Sequence, residues 1–372
     1  MVCLVRQAQN DAIAIATIDS AIWISHLCES NLTEKNLTEK NVTKNNVTEK
    51  QQLTSEMLPH RKRSLKLPAA LVIGTELANM SLQCAGALGY KEVWHHTQSC
   101  KTENGQTKIA YLYFNFYNGA MSTTQCQMLL TEYQQLAKSD ADVIMLMGGN
   151  DFFSNGIHLN VIEHSESAAD ESWRNINAMN DICHAIIETT DKLTVAAING
   201  NAGAGGVFLA LSCDLVAANE EVVLNPHYKS MGNLYGSEYW TYTLPERVGA
   251  EQAQRIMENR LPVGAIQARE LGLIDFTFSK TLFLSELIRT VKNISSNDEF
   301  TDFLQAKKEK RQQDEQSKPL AKYRAEELEQ MNLNFYGFDP SYHMARYHFV
   351  YKLAKARTPA YLAKHRMSNY EN

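Results

Sequence analysis

GNAGAGGVFLAL, residues 200–211, carries the strongest structural signal in this sequence. The apolar run 193–198 before it predicts a buried strand, and residues 207–211 predict a helix. Glycines let another group approach the backbone closely, and free N–H groups at a helix start stabilise negative charge. The stretch therefore predicts a strand-to-helix turn whose glycines serve either tight packing or the binding of a ligand oxygen.

Strands and helices alternate on both sides of this turn. Apolar or alternating runs predict strands at residues 21–24, 67–73, 109–116, 143–147 and 221–224. Amphipathic spacing predicts helices at 122–136, which Ser122 can cap, and at 171–189. A charged helix is predicted at 305–330, and the aromatic tail after residue 331 is expected to pack back on the domain. This order is typical of an α/β protein with a mainly parallel sheet.

Composition and charge exclude several classes of protein. Of 372 residues, 44% are hydrophobic and 21% charged, which excludes a wholly disordered or fibrous chain. A net charge of −6 gives no reason to expect nucleic acid as a partner, and no apolar run approaches the ~20 residues of a membrane span. The N-terminus is a poor signal peptide, and the seven cysteines form no CxxC pair. We therefore expect a soluble cytoplasmic protein with reduced thiols and no membrane partner.

Residues 31–50 consist of four pentads, NLTEK, NLTEK, NVTKN and NVTEK. A period of five matches neither the face of a helix nor the face of a strand, so these residues cannot present one apolar surface. They are predicted to form a solvated insert, followed by a basic linker that ends near residue 66.

A second glycine-bearing loop, DFFSNGIHL at residues 151–159, lies about fifty residues before the first. Backbone N–H groups from two such loops can form an oxyanion hole for a carbonyl oxygen. The two loops, the later Asn225-Pro226 and the turn at Gly232 together resemble the crotonase (enoyl-CoA hydratase/isomerase) superfamily over about residues 105–275. The resemblance implies a crotonase-like ββα spiral that binds acyl-CoA thioesters. It also implies that Ile157 and Gly205 donate the oxyanion-hole N–H groups.

The sequence departs from the hydratases at both catalytic positions. The resemblance places one glutamate where this chain has Phe208 and the other where it has His227. Adding water to a double bond needs an acid/base pair, and Phe208 cannot transfer a proton. Simple hydration of an enoyl-CoA is therefore not expected.

Five longer runs resemble the C-terminal half of the HypX/HoxX family, which takes part in [NiFe]-hydrogenase maturation. They are NGIHLNVIE (155–163), ESWRNINAMND (171–181), GNAGAGGVFLAL (200–211), LNPHYKSMGNLYGSEYWTYTLP (224–245) and FYGFDPSYHMARYHFVYK (335–352). That family's N-terminal half, which resembles formyl-tetrahydrofolate-using transferases, is almost entirely missing. The resemblance therefore leaves two expectations open: one piece of a split gene that works with a separate transferase chain, or a decayed remnant. The expected organisation is a remnant of the preceding domain at 1–28, the insert and linker at 29–66, a CoA-thioester domain at 67–275 and a helical C-terminal extension at 276–372.

The resemblance implies that formyl-CoA is converted to carbon monoxide and CoA for the hydrogenase iron. Formyl-CoA has no α-carbon, so the enolate route of the fold is closed, and the reaction needs a base for the formyl hydrogen and an acid for the thiolate. Tyr228 and Glu238 resemble the family's catalytic pair. Burial among Tyr235, Tyr239 and Trp240 would raise the pKa of the Glu238 carboxyl towards values useful for proton transfer. The sequence leaves open which of the two is the base, and also allows both to be packing residues.

Four further residues are candidates for contact with CoA or substrate: Gly156, His158, Gly206 and His227. His158 and His227 are alternatively structural residues of their loops. No metal is expected, because His343 and His348 have no carboxylate or cysteine at ligand spacing. The two rival functions are a general acyl-CoA hydratase, isomerase or thioesterase, and a non-catalytic CoA-binding scaffold that docks on the maturation machinery.

Overall fold

A computed structural model describes residues 4–7, 13–16, 21–24, 26–28, 65–73, 91–102, 105–296 and 299–353. The four predicted pentads lie outside the described residues.

The N-terminal strands form two small antiparallel sheets. One contains β1 (Leu4–Gln7), β2 (Ile13–Ala16) and β3 (Ala21–Ile24), and the other pairs β4 (His26–Cys28) with β5 (Lys66–Pro68). The strand predicted at 21–24 is confirmed, whereas the one at 67–73 is wrong after Pro68, because α1 (Ala69–Ile73) follows. Two alanines and a leucine directly after a proline favour the start of a helix more than the continuation of a strand.

A six-stranded sheet forms the centre of the fold, in the order β15-β12-β10-β8-β7-β6. Its strands are β6 (Val93–Thr102), β7 (Gly105–Phe114), β8 (Val143–Met147), β10 (Leu193–Ile198), β12 (Leu215–Asn219) and β15 (Phe276–Phe278). Only β6 runs antiparallel to its neighbour. Every residue of β8 and β10 is buried, because helices cover both faces of a parallel sheet, and this explains their uninterrupted apolar sequences.

A second sheet of four short strands brings the ends of successive units together. Its strands are β9 (Phe152–Ser154), β11 (Asn201–Gly203), β13 (Val223–Asn225) and β14 (Val263–Gly264), in the order β14-β13-β11-β9. Each of β8, β10 and β12 thus leads into a short strand of this sheet. Because β9 and β11 are parallel neighbours, the loops that follow them leave the sheet at the same edge.

Helices pack against both sheets. They are α2 (Thr123–Ala137), α3 (Leu159–His164), α4 (Ala168–Ile187), α5 (Gly205–Leu211), α6 (Trp240–Val248), α7 (Ala250–Asn259) and α8 (Ala265–Glu270). The cap predicted for α2 is confirmed, since Ser122 Oγ accepts from the backbone N–H of Gln125 at 3.3 Å. The 20-residue helix α4 is amphipathic: it buries one face and exposes charged residues on the other. No helix in the described part of the chain is both long enough and apolar enough to cross a membrane.

Four helices close the C-terminal side: α9 (Phe283–Ser295), α10 (Phe300–Ser317), α11 (Leu320–Tyr336) and α12 (Ser341–Val350). The single helix predicted at 305–330 is wrong. Pro319 has no backbone N–H and adopts φ −58° and ψ 145°, so α10 ends before it and α11 begins after it. The expected packing of the tail is confirmed as far as residue 353, since Phe335 and Tyr342 are buried and Tyr342 Oη lies 2.6 Å from Ser172 Oγ.

Candidate active site

The two glycine-bearing loops meet at the edge of the small sheet. A Cβ atom built on Gly156 would lie 3.2 Å from the backbone nitrogen of Gly205. The first loop is held by hydrogen bonds to the segment 118–121. Gly156 O accepts from Met121 N at 2.9 Å, and Asn155 Nδ2 donates to Asn118 O at 2.7 Å. The structure therefore brings together the loops from which the oxyanion hole was predicted.

Two backbone N–H groups remain available at this junction. Gly205 is the first residue of α5, and the first N–H groups of a helix have no partner within the helix. Among the described residues, neither the N–H of Gly205 nor that of Ile157 donates to an acceptor. The junction thus offers two donors from separate loops, as a carbonyl oxygen would require.

Tyr228 and Glu238 form a buried pair against the same glycine. Tyr228 Oη donates to Glu238 Oε2 at 2.5 Å, and the side chains are 6% and 1% exposed. A Cβ atom on Gly205 would overlap Glu238 Oε1, so the carboxyl group occupies the space that the missing side chain leaves free. The predicted catalytic pair and the predicted oxyanion loop are therefore neighbours.

Burial controls the charge of this pair. The pKa of Glu238 is raised to about 8, mainly by burial. The Tyr228 hydrogen bond acts to lower it, and the charge of Glu327 acts to raise it. Burial also raises the pKa of the Tyr228 hydroxyl well above its usual value. The pair consequently holds a proton near neutral pH, as a group that transfers protons must.

The aromatic surroundings include a residue that was not predicted. Phe208 stacks on Tyr228 with ring centroids 5.4 Å apart and planes 16° apart, so the residue that replaces a hydratase glutamate forms an apolar wall. Tyr235 and Trp240 pack on each other at 5.4 Å. They line a cavity of about 360 Å³ with Lys229 and other residues of α6 and α7.

His158 caps α3 and keeps one nitrogen free. Its Nδ1 accepts from Val161 N at 3.3 Å, so the proton of the neutral ring resides on Nε2. Burial lowers the pKa of His158 to about 4, which keeps the ring neutral. Nε2 is buried without an acceptor in the described part of the chain, while His26 stacks on the ring with centroids 5.8 Å apart. His158 is thus a structural residue that also offers a donor beside Ile157.

The other two candidates for substrate contact face elsewhere. The ring of His227 bonds the backbone of Arg260 at the end of α7, and burial lowers its pKa. A Cβ on Gly206 would overlap the backbone carbonyl of Ser154, so close packing of α5 on β9 is sufficient to explain this glycine. Among the described residues, the ring of His227 makes no hydrogen bond to Tyr228 or Glu238.

Two residues at the site were missed by the sequence analysis, namely Asn180 on α4 and Glu327 on α11. Asn180 Oδ1 accepts from Glu238 N at 2.8 Å and from Ser237 Oγ at 2.9 Å. Glu327 accepts from Tyr239 N at 3.0 Å. Glu327 is the one charged residue among the apolar residues that α11 buries, and this mismatch is the signal by which it was recognisable. Asn180 gives a weaker signal, because α4 also buries Ser172 and Asn175.

These contacts hold a strained turn. Glu238 and Tyr239 have φ values of 60° and 58°, in the left-handed region. That conformation costs a residue with a side chain roughly 1–2 kcal/mol. The turn therefore depends on hydrogen bonds from outside itself to keep Glu238 in place.

No group of three or more His, Cys, Asp or Glu side chains suited to a metal ion occurs among the described residues.

Comparison with known proteins places these features in a family. Residues 106–356 match the enoyl-CoA hydratase/isomerase family model. The chain is 47% identical over 357 residues to the hydrogenase maturation factor HoxX of Bradyrhizobium diazoefficiens, covering 96% of this chain and 56% of that protein. It is 25% identical over 205 residues to 4-chlorobenzoyl coenzyme A dehalogenase-2 of Arthrobacter, covering 54% of this chain and 73% of the dehalogenase.

Solved structures agree with these sequence matches. HypX from Aquifex aeolicus in complex with tetrahydrofolic acid superposes with a TM-score of 0.82 at 44% identity, covering 100% of this chain and 60% of that one. An enoyl-CoA hydratase from Bacillus halodurans, at 19% identity, shares the fold with a TM-score of 0.57 over 67% of this chain and 98% of its own. The predicted crotonase-like fold and the resemblance to HypX/HoxX are confirmed. The chain spans 56% of HoxX and 60% of HypX.

Proposed function

This chain belongs to the enoyl-CoA hydratase/isomerase family, and on that premise we propose that it converts formyl-CoA to carbon monoxide and CoA in [NiFe]-hydrogenase maturation. The observation that carries the proposal is the buried Tyr228–Glu238 pair against Gly205. The 47% identity to the hydrogenase maturation factor HoxX supports the pathway.

The formyl oxygen binds between the two loops. The N–H groups of Ile157 and Gly205 donate to it and stabilise the negative charge that grows on the oxygen during the reaction. The donor at His158 Nε2 adds a contact to the CoA thioester beside them. Gly156 and Gly206 contribute by letting the two loops and α5 approach each other.

Glu238 is the base in this mechanism. Its Oε1 lies against Gly205, where the formyl carbon would sit, while its Oε2 is occupied by the Tyr228 hydroxyl. The ionised carboxylate takes the formyl hydrogen as a proton, and the electrons of the C–H bond stay on carbon as a lone pair. An oxygen lone pair forms the third C–O bond while the C–S bond breaks, so that its electrons leave with sulfur and carbon monoxide is released. Tyr228 gives its proton to the departing thiolate and regains one from Glu238 through their 2.5 Å hydrogen bond.

Hydrolysis and hydration are disfavoured by the same geometry. Phe208 stacks on Tyr228 at the position where a hydratase keeps a glutamate, and both members of the pair are almost fully buried. A water molecule would therefore lack the glutamate at position 208 with which a hydratase activates it. Elimination needs no water.

The proposed partners follow from the similarity to HoxX. The 47% identity to that hydrogenase maturation factor supports the maturation machinery as the recipient of the carbon monoxide, and the formyl group is proposed to come from a separate formyl-tetrahydrofolate-using transferase chain in the cytoplasm. The tetrahydrofolic acid bound to HypX from Aquifex aeolicus supports this source of the formyl group.

The test is the release of carbon monoxide from formyl-CoA by the full chain, trapped by reduced myoglobin, with free thiol counted in parallel. Carbon monoxide and thiol rising together are expected. Thiol with formate and no carbon monoxide would indicate a thioesterase, turnover of crotonyl-CoA would indicate a hydratase, and tight CoA binding without turnover would indicate a scaffold; each would reject the proposal.

A further inference from the structure

Glu327 is a fully buried carboxyl group with no role in the proposed chemistry. It is 0% exposed and lies on the face of α11 that also buries Leu320, Met331 and Phe335. A charged side chain on such a face costs free energy unless its environment provides hydrogen bonds. The hydrogen bonds that stabilise the buried Glu327 carboxyl therefore identify the part of the fold that it holds.

Both carboxyl oxygens of Glu327 bind the turn that carries Glu238. Oε1 accepts from the backbone N–H and the hydroxyl of Thr241 at 2.9 and 2.6 Å. Oε2 accepts from Tyr239 N at 3.0 Å and lies 3.3 Å from Ser237 Oγ. Backbone N–H groups can only donate, so the arrangement suits the ionised carboxylate. One side chain thus contacts the residues on both sides of Glu238 and leaves Glu238 itself free.

We propose that Glu327 is a positioning residue, which holds the left-handed turn at residues 237–241 and so sets the place of Glu238. Its negative charge also makes Glu238 harder to ionise. It touches no substrate in this scheme and acts only through Glu238. The claim about kinetics rests on the proposed function, whereas the claim about the proton affinity of Glu238 does not.

Among the described residues, four titratable groups interact with Glu238 from the surrounding elements: Tyr228 in the preceding loop, Glu327 on α11, Cys126 on α2 and Cys183 on α4. Burial raises the pKa of both thiols far above neutrality, and that of Tyr228 likewise, so these three stay uncharged between pH 6 and pH 9. Glu327 is consequently the group whose charge changes the ionisation of Glu238 in that range.

The test measures the proton on Glu238 directly by infrared spectroscopy of the full chain. Most carboxyl groups are ionised above about pH 6, so the protonated-carboxyl band remaining there comes from the buried pair, and its loss in Glu238→Gln identifies the Glu238 component. The band is titrated in the wild type, in Glu327→Gln and in Glu329→Gln. Glu329 is exposed on the same helix and provides the matched control.

We expect the Glu238 midpoint to fall by about one pH unit in Glu327→Gln, since removal of a nearby like charge favours ionisation. It should not move in Glu329→Gln. In the decarbonylation assay, kcat should fall about tenfold with KM within about twofold, because the base is displaced while substrate contacts remain. A folded Glu327→Gln protein with the wild-type midpoint would overturn the proposal, since a merely structural residue would leave that midpoint unchanged.

Thr241→Val covers the case in which Glu327→Gln does not fold. It removes one donor to Glu327 and keeps the negative charge, so kcat should fall a few fold without a downward shift of the Glu238 midpoint. Wild-type kcat in Thr241→Val would overturn the positioning role. A shifted midpoint in Glu327→Gln without carbon monoxide release by the wild type would reject the proposed function and leave the electrostatic role of Glu327 intact.

Discussion

The backbone side of the site, loops 154–158 and 203–206, is held differently from its side-chain side, the turn 237–241. The backbone side continues the parallel strands β9 and β11, which pair through Ala202 and Ser154. The side-chain side lies in a left-handed turn and is held by two residues of other helices, Asn180 and Glu327.

This difference separates two tasks. Backbone N–H groups bind a carbonyl oxygen wherever the sheet places them, and they have no charge to regulate. A carboxyl group that must gain and lose a proton needs a position and a proton affinity, and both depend on what surrounds it. In the proposed mechanism the site therefore combines a rigid donor pair with an acid/base pair whose proton affinity depends on its surroundings.

Replacement of the Glu238 carboxylate should have the largest effect on activity. Glu238→Gln is nearly isosteric and cannot accept the formyl proton, so carbon monoxide release should fall about 10²–10⁴-fold. The rate is measured with reduced myoglobin. Glu220→Gln, at an exposed position, should keep the wild-type rate, and a folded Glu238→Gln protein with more than half of that rate would contradict the assignment.

The backbone side is tested at Gly205. A methyl group there would overlap Glu238 Oε1, a movable side-chain atom, so Gly205→Ala should fold and lose on the order of 10²-fold in kcat/KM. At Gly206 the overlap is with the Ser154 backbone, so Gly206→Ala should lower the melting temperature instead. Gly264→Ala has open space and is the control. Equal melting temperatures and equal rates in all three would refute the close approach of the loops.

Tyr228→Phe tests which member of the pair is the base and which is the acid. The carboxyl loses its 2.5 Å hydrogen bond and the thiolate loses its acid, so turnover should fall on the order of tenfold to a hundredfold. The loss should be smaller than in Glu238→Gln, since Glu238 still removes the formyl proton. Tyr113→Phe, on the central sheet, serves as control. A larger loss in Tyr228→Phe than in Glu238→Gln would make Tyr228 the base.

The smallest effect concerns stability. The pKa values of Glu238 and Glu327 are raised to about 8 and about 7 in the folded protein, from 4.5. Between the unfolded-state pKa of 4.5 and the raised folded-state values, the folded state binds more protons than the unfolded state. The free energy of unfolding should therefore fall as pH rises from 4.5 to 8. The slope is at most ~1.4 kcal/mol per pH unit for each group. Urea unfolding at several pH values measures it, and Glu238→Gln should flatten it; an unchanged slope would argue against a buried proton.

Much of the backbone side was predictable because it is local. The strands β8 and β10 are continuous apolar runs, and the glycine loops follow short strands that neighbour each other in the sheet. The same kind of local reading went wrong at residues 67–73, where the alanines after Pro68 favoured a helix, and at 305–330, where Pro319 interrupts the helix.

The side-chain side was only partly predictable. Tyr228 and Glu238 were identified by resemblance, and the burial expected for Glu238 is present. Glu327 lies 89 residues after Glu238, and its contacts with the turn arise only from packing of α11, so periodicity alone could mark it as misplaced but not say what it binds. His227 directly precedes Tyr228 in sequence, yet it faces Arg260 instead.

The most direct test of the account is the ratio of carbon monoxide to free thiol in a single turnover of formyl-CoA, compared between the full chain and Glu238→Gln. The account predicts one carbon monoxide for each thiol from the wild type, and only the uncatalysed background from the variant. Thiol accompanied by formate, or carbon monoxide at the wild-type rate from Glu238→Gln, would contradict it.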